Sequence, residues 1–190
     1  MSVGQSLAVA PRALCPHPDF AQSAIELIMV EGARSPEHTL RLRYLVIGAL
    51  DRIRLAAPAP SQRRDSLWRT TCFEMFMRTD ETPGYVEANF SPSSEWAVYR
   101  FDSYRENMKP VTADAPPRIA TARDGDRFTM DVELDSSCTL STGSFRFGLS
   151  AVIEADDGTL SYWALAHPPG GPDFHHSDCF ALELAATASS

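Results

Sequence analysis

Glu74 and Glu87 are carboxylates set inside apolar and aromatic runs, Cys72-Phe73-Glu74-Met75-Phe76 and Tyr85-Val86-Glu87-Ala88-Asn89-Phe90, rather than in polar surface sequence. In extended chain, alternate residues share a face, so Glu87 lies on the side of Tyr85 and Asn89. Carboxylates and amides at mid-strand fix ligand hydroxyl groups, and neighbouring aromatic rings stack on an apolar ligand plane. Two carboxylates held within roughly 10 Å of each other are also the machinery of glycoside hydrolysis. Such a pair serves binding or carboxylate catalysis.

Which side chains join that pair depends on strand register. Residues 72–78, 85–90 and 95–101 read as three strands joined by turn-like stretches at 79–84 and 91–94. Centring the first turn between Glu81 and Thr82 sets Glu74 opposite Asn89 and Phe76 opposite Glu87. Centring the second between Ser93 and Ser94 sets Glu87 opposite Arg100 and Asn89 opposite Val98. One face then carries Glu74, Glu87, Asn89, Trp96 and Arg100, and the other, with Phe73, Met75, Val86 and Phe90, is a core face. The polar face reads either as a binding face or as a solvated outer sheet with a cross-strand Glu87–Arg100 pair. A one-residue slip in either register exchanges the faces.

A second cluster lies at residues 162–180, where Trp163, His167, Asp173, His175 and His176 gather around a Pro- and Gly-rich loop. His167, His175 and Asp173 have the donor types that zinc accepts. Adjacent His175 and His176 point opposite ways on extended chain, so structural histidines or ligand contacts are the expectation, and no metal. No GxSxG serine or glycine-rich phosphate loop occurs. The cysteines at 15, 72, 138 and 179 form no CxxC pair.

The elements that must position these groups are strands. Residues 23–30, 39–47, 53–55, 118–122, 127–134, 145–155, 160–165 and 177–185 alternate or are apolar. Asp- and Gly-containing turns at 123–126 and 156–159 mark hairpins. Residues 103–108 allow one helical turn, and no longer helix is expected. Ten or so short strands indicate an all-β sandwich or barrel. Residues 1–20, with three prolines, read as an irregular arm, 21–185 as one domain and 186–190 as a frayed tail. The 190-residue chain carries a net charge of -8 and a pI near 5.0, which disfavours nucleic acid. No apolar run is long enough to span a membrane, and no secretory signal is visible, so a cytosolic protein with reduced thiols is expected.

The pieces around Leu67-Trp68-Arg69-Thr70-Thr71-Cys72-Phe73-Glu74, Glu87-Ala88-Asn89-Phe90-Ser91-Pro92-Ser93, Trp96-Ala97-Val98-Tyr99-Arg100-Phe101-Asp102, Tyr104-Arg105, and His167-Pro168 through Pro172-Asp173-Phe174-His175-His176 resemble the bacterial DOMON-like group, related to the family-nine carbohydrate-binding modules. The resemblance covers most of residues 22–185. It implies an antiparallel, jelly-roll-like β-sandwich. Sugar-binding branches clamp a terminal saccharide between two tryptophans, for which Trp68, Trp96 and Trp163 are the candidates here. Haem-binding branches use a Met and His axial pair, which has no clear counterpart, so no cofactor is expected.

The leading expectation is a small-molecule binding module with carbohydrate as its ligand and no catalysis. Its site would comprise Trp68, Glu74, Glu87, Asn89, Trp96 and Arg100, with Trp163, His167, Asp173, His175 and His176 as a secondary loop. The alternatives are a metal-assisted or carboxylate-based enzyme on a saccharide-like substrate, and a structural or interaction domain in which the same aromatics seal a homodimer.

Overall fold

The computed structural model describes residues 7–20, 24–35, 39–112, 115–135 and 145–184. Its strands are β1 (Leu7–Pro16), β2 (Ile25–Arg34), β3 (Thr39–Gly48), β4 (Cys72–Thr79), β5 (Tyr85–Phe90), β6 (Trp96–Phe101), β7 (Lys109–Pro110), β8 (Arg118–Asp124), β9 (Arg127–Asp135), β10 (Phe145–Glu154), β11 (Leu160–Ala164) and β12 (Leu182–Leu184). All pair antiparallel in the order β7-β6-β5-β4-β10-β11-β1-β2-β3-β9-β8, with β12 added beside β10. No helix among the described residues is long and apolar enough to cross a membrane.

This curled sheet forms the two layers of a β-sandwich. β1 joins them, because residues 7–14 pair with β2 while Cys15 and Pro16 pair with β11. β1 occupies the stretch whose prolines read as an irregular arm. Its register shifts between Val9 and Arg12, and the bulge takes up Pro11, whose missing N–H would interrupt a regular ladder. Between the layers, Ile28, Tyr44 and Met130 meet Phe73, Met75 and Leu149, all buried. Tyr44 donates its hydroxyl across this core to the Glu74 carbonyl at 2.9 Å, so this buried hydroxyl is satisfied.

The layer containing β4, β5 and β10 is buried on both faces. Its outer face carries a second apolar cluster including Phe76, Tyr85, Tyr99, Phe101, Phe174 and Phe180. Residues 172–180 lie over this face where Gly148 leaves room. A Cβ at Gly148 would stand 3.0 Å from the Cys179 carbonyl oxygen, so the covering segment approaches the sheet more closely than a side chain allows.

The β4–β5 register is the one expected from turn arithmetic, with Glu74 opposite Asn89 and Phe76 opposite Glu87. The β5–β6 register differs by one residue, since Glu87 faces Tyr99, Asn89 faces Ala97 and Val86 faces Arg100. Ser94 is the cause. It follows a hydrogen-bonded turn from Ser91 and takes a left-handed φ of 76°, making the connection one residue longer than a symmetric turn. Every side chain of β6 is thereby exchanged between faces. Three local expectations also change. Ile53 makes only an isolated bridge to Ala155, and residues 177–179 form a 3₁₀ turn before β12. Residues 103–108 reverse through positive φ at Arg105 and Asn107, so no helical turn forms.

Candidate functional site

The outer face of β4 and β5 opens into a cleft of about 450 Å³. Glu74 and Glu87 form its floor as diagonal neighbours on adjacent strands, 2% and 4% exposed. The 3₁₀ turn Leu67–Arg69 brings Trp68 to one rim. That turn lies against β4 and β5, Trp68 packs edge-on against Tyr99 of β6 at 5.9 Å, and the Tyr99 hydroxyl donates to Asp65 at 2.5 Å. Tyr162 of β11 and Phe174 make a further wall, their rings 6.1 Å apart. Arg105 and His175 close the remaining side.

The floor is short of positive charge. Burial, then repulsion from Glu87, pushes the Glu74 pKa well above the carboxylate range against the pull of a hydrogen bond donated by Ser150 (3.2 Å). Burial also raises Glu87 to about 7, although Asn89 donates to it at 2.6 Å and the charge of Arg105 opposes the rise. Carboxylates on neighbouring strands titrate together, and their repulsion opposes a second negative charge on the pair. Beneath them Asn89 is wholly buried and accepts from the Cys72 thiol at 3.6 Å. Burial raises that thiol's pKa well above its ordinary value, keeping it protonated.

His175 is neutral, its pKa lowered to about 4 by burial and by the charge of Arg105. Its tautomer follows from its neighbours. The Tyr85 hydroxyl accepts the Arg105 backbone N–H at 3.1 Å, and His175 Nδ1 at 2.7 Å is the one acceptor beside it among the described residues, which assigns the hydroxyl proton to Nδ1. Nε2 therefore carries the ring proton and faces Glu87 at 3.8 Å, too far for a hydrogen bond. Arg105 is held back from the floor by Asp173, which it meets at 2.8 Å. Partial burial works against the Asp173 carboxylate, but hydrogen bonds from Tyr104 and Arg105 outweigh it and keep its pKa low.

The structure thus brings Trp68, Glu74, Glu87 and His175 into one cleft, with Asn89 supporting the floor and Asp173 positioning Arg105. Other expected residues lie elsewhere. Trp96 is only 7% exposed and points into the core between the layers. Arg100 shares that face of β6, is exposed at the strand end, and forms no cross-strand pair with Glu87. Trp163 also packs in the inter-layer core, donating to Ser161 at 3.0 Å. His167 turns toward β1, with Nε2 2.9 Å from the Cys15 carbonyl oxygen, and His176 caps the 177–179 turn by accepting the Asp178 N–H. The His167, His175 and Asp173 set does not converge, and the described residues contain no group able to hold a metal ion.

Sequence reasoning missed Phe101, Arg105, Met108, Tyr162 and Phe174 as cleft residues. Phe101 would have emerged from the correct β6 register. The others sit on loops or on a strand whose face only the packing of residues 165–181 decides.

No family model and no curated protein matches the sequence. Solved structures do match its fold. A protein from Bacteroides uniformis assigned to carbohydrate binding aligns over 92% of this chain and 83% of its own, with a TM-score of 0.64 at 12% identity. A family-nine carbohydrate-binding module from Caldicellulosiruptor kristjanssonii in complex with glucose aligns over 90% and 81%, with a TM-score of 0.51 at 13% identity. The same organism's family-nine module with cellotriose aligns over 98% and 84%, with a TM-score of 0.52 at 12% identity. The fold is that of the family-nine β-sandwich.

Proposed function

We propose that this chain is a carbohydrate-binding module and that the cleft over Glu74 and Glu87 is its site. The observation that carries the reading is a buried carboxylate pair, short of donors, at the base of an aromatic-walled cleft. A sugar ring supplies what is missing, hydroxyl groups to engage the carboxylates and C–H faces to lie on aromatic rings. Trp68 and the Tyr162–Phe174 wall would take the apolar faces. Glu74, Glu87 and the Nε2–H of His175 would take the hydroxyls. The cleft lies within the roughly 300–1,000 Å³ of small-ligand sites and suits one or two sugar rings.

A binding role asks of Glu74 and Glu87 only hydrogen bonds to hydroxyl groups, which both carboxyls can make from one sheet face. The shared fold with modules solved with glucose and cellotriose supports the same reading. The relation to the DOMON-like group, the jelly-roll description and the cytosolic address belong to this proposal, the first two resting on the sequence motifs and the address on the reduced thiols of Cys15, Cys72 and Cys179. The net charge of -8 favours a neutral ligand over nucleic acid.

Isothermal titration calorimetry with glucose, cellobiose and cellotriose is the test. Binding weakened at least ~10-fold by Trp68→Ala, and unaffected by Arg100→Ala on the opposite face, is the expected result. No heat from any saccharide across a broad panel would overturn the reading.

A further inference from the structure

β8 is the outermost strand of its layer. It bonds to β9 on one side and, among the described residues, to no strand on the other. Six of its seven residues are exposed, and only Ile119 is partly buried. The direction of its backbone groups follows from one hydrogen bond, the Gly48 N–H donating to the Asp126 carbonyl at 3.1 Å. In antiparallel pairing the N–H and C=O of a residue point to one side, and the side alternates along the strand. Even-numbered residues of β9 therefore bond to β3, and odd-numbered ones bond to Arg118, Ala120, Ala122 and Asp124 of β8. The backbone groups of Ile119, Thr121 and Arg123 are left pointing outward from the edge.

We propose that this edge is a self-recognition surface, through which two copies of the chain pair antiparallel about a two-fold axis at Thr121. The sequence Arg118-Ile119-Ala120-Thr121-Ala122-Arg123-Asp124 complements itself in that register. Thr121 meets Thr121 of the second copy, Ile119 meets Arg123, and both are pairs whose backbone groups point toward the partner. Ala120 meets Ala122, leaving the approach unobstructed. Arg118 meets Asp124 on the outer face, and two-fold symmetry makes that ion pair twice. Shifting the register by two residues sets Arg118 opposite Ala122 within the strand, or opposite Asp126 beyond its end in the turn. No proline or bulge lies within the strand to guard the edge, and regular edges of this kind template pairing. Seven residues of edge bury less than a standard interface, so the association is weak, with a dissociation constant of roughly micromolar to millimolar order.

Sedimentation equilibrium of the full chain from about 1 μM to 1 mM tests this. A monomer–dimer equilibrium is expected. Thr121→Pro removes an outward N–H without touching the β9 ladder, and should weaken association at least ~10-fold while the melting temperature stays near wild type. Arg118→Asp should weaken it as well, and adding Asp124→Arg should restore it, because the symmetric ion pair is then rebuilt with its signs exchanged. Should the proline variant fail to fold, the charge swap decides at an unchanged melting temperature, since in β9 Glu133 faces position 118 and Arg127 faces position 124. A single monomeric species up to about 1 mM, or a dimer indifferent to the charge reversal, would overturn the proposal. Neither result bears on sugar binding.

Discussion

Replacing Glu87 by Gln should stabilise the protein at pH 8 and leave it nearly unchanged at pH 5. Burial lifts the Glu87 carboxyl from 4.5 to about 7 in the folded state, so the folded chain holds this proton more tightly than the unfolded chain. The linked stability is fully present below about pH 4.5 and is lost as pH rises through about 7. At roughly 1.4 kcal/mol per pKa unit the loss comes to about 3 kcal/mol, with no reduction for screening because the side chain is buried. Gln keeps an oxygen to accept from Asn89 and has no proton to lose. Urea unfolding of wild type and Glu87→Gln at pH 5, 6, 7 and 8 reads this effect together with the relief of Glu74, whose pKa the Glu87 charge also raises and which acts in the same direction. The difference should grow with pH in favour of the variant. A difference that stays flat from pH 5 to pH 8, or that favours wild type increasingly at high pH, would refute the account of a desolvated acid at the cleft floor.

Two further outcomes follow from the wall of the cleft. Tyr85→Phe removes the hydroxyl that bonds both His175 Nδ1 and the Arg105 N–H, and should cost roughly 1–3 kcal/mol in chemical denaturation; an unchanged midpoint would exclude that bridge. Nitrogen-detected NMR of His175 should show the Nε2–H tautomer and a titration midpoint of about 4. Because this pKa is lowered, its stability contribution is present above the ordinary histidine value and lost as pH falls through about 4. A midpoint near the ordinary value would place the ring in solvent.

Most strands were legible because their side chains alternate or because a Gly-containing turn marks a hairpin. β3 is the clearest case, with Leu40, Leu42, Tyr44 and Val46 buried and Arg41 and Arg43 turned out. β1 was hidden because a bulge absorbs its proline and breaks the alternation. The two acids and their amide were readable from the β4–β5 turn alone. The partners on β6 were not, since one left-handed serine decides that register and nothing in Ser91-Pro92-Ser93-Ser94 announces which serine takes it. The implied two-tryptophan clamp failed for the same kind of reason. Trp96 and Trp163 alternate with residues of the cleft face, and one step along a strand puts an indole on the other side of the layer.

Buried acids can also be purely structural, and the hydrogen bonds around them separate the two cases. A structural network places donors against each carboxylate oxygen and a cation nearby, because an unpaired buried charge is destabilising. Arg100, the cation that sequence reasoning set opposite Glu87, lies on the other face. Arg105, the cation that faces the cleft, is committed to Asp173. His175 has its proton aimed at Glu87 but stops at 3.8 Å, and Tyr85 holds the ring in that position from behind. The protein thus fixes a donor and an acceptor beside each other without letting them meet, and it accepts a raised carboxyl pKa as the cost. A hydroxyl group placed between them would accept from Nε2 and donate to Glu87. On this geometry the proposed ligand, neutral and hydroxyl-bearing, would complete the floor.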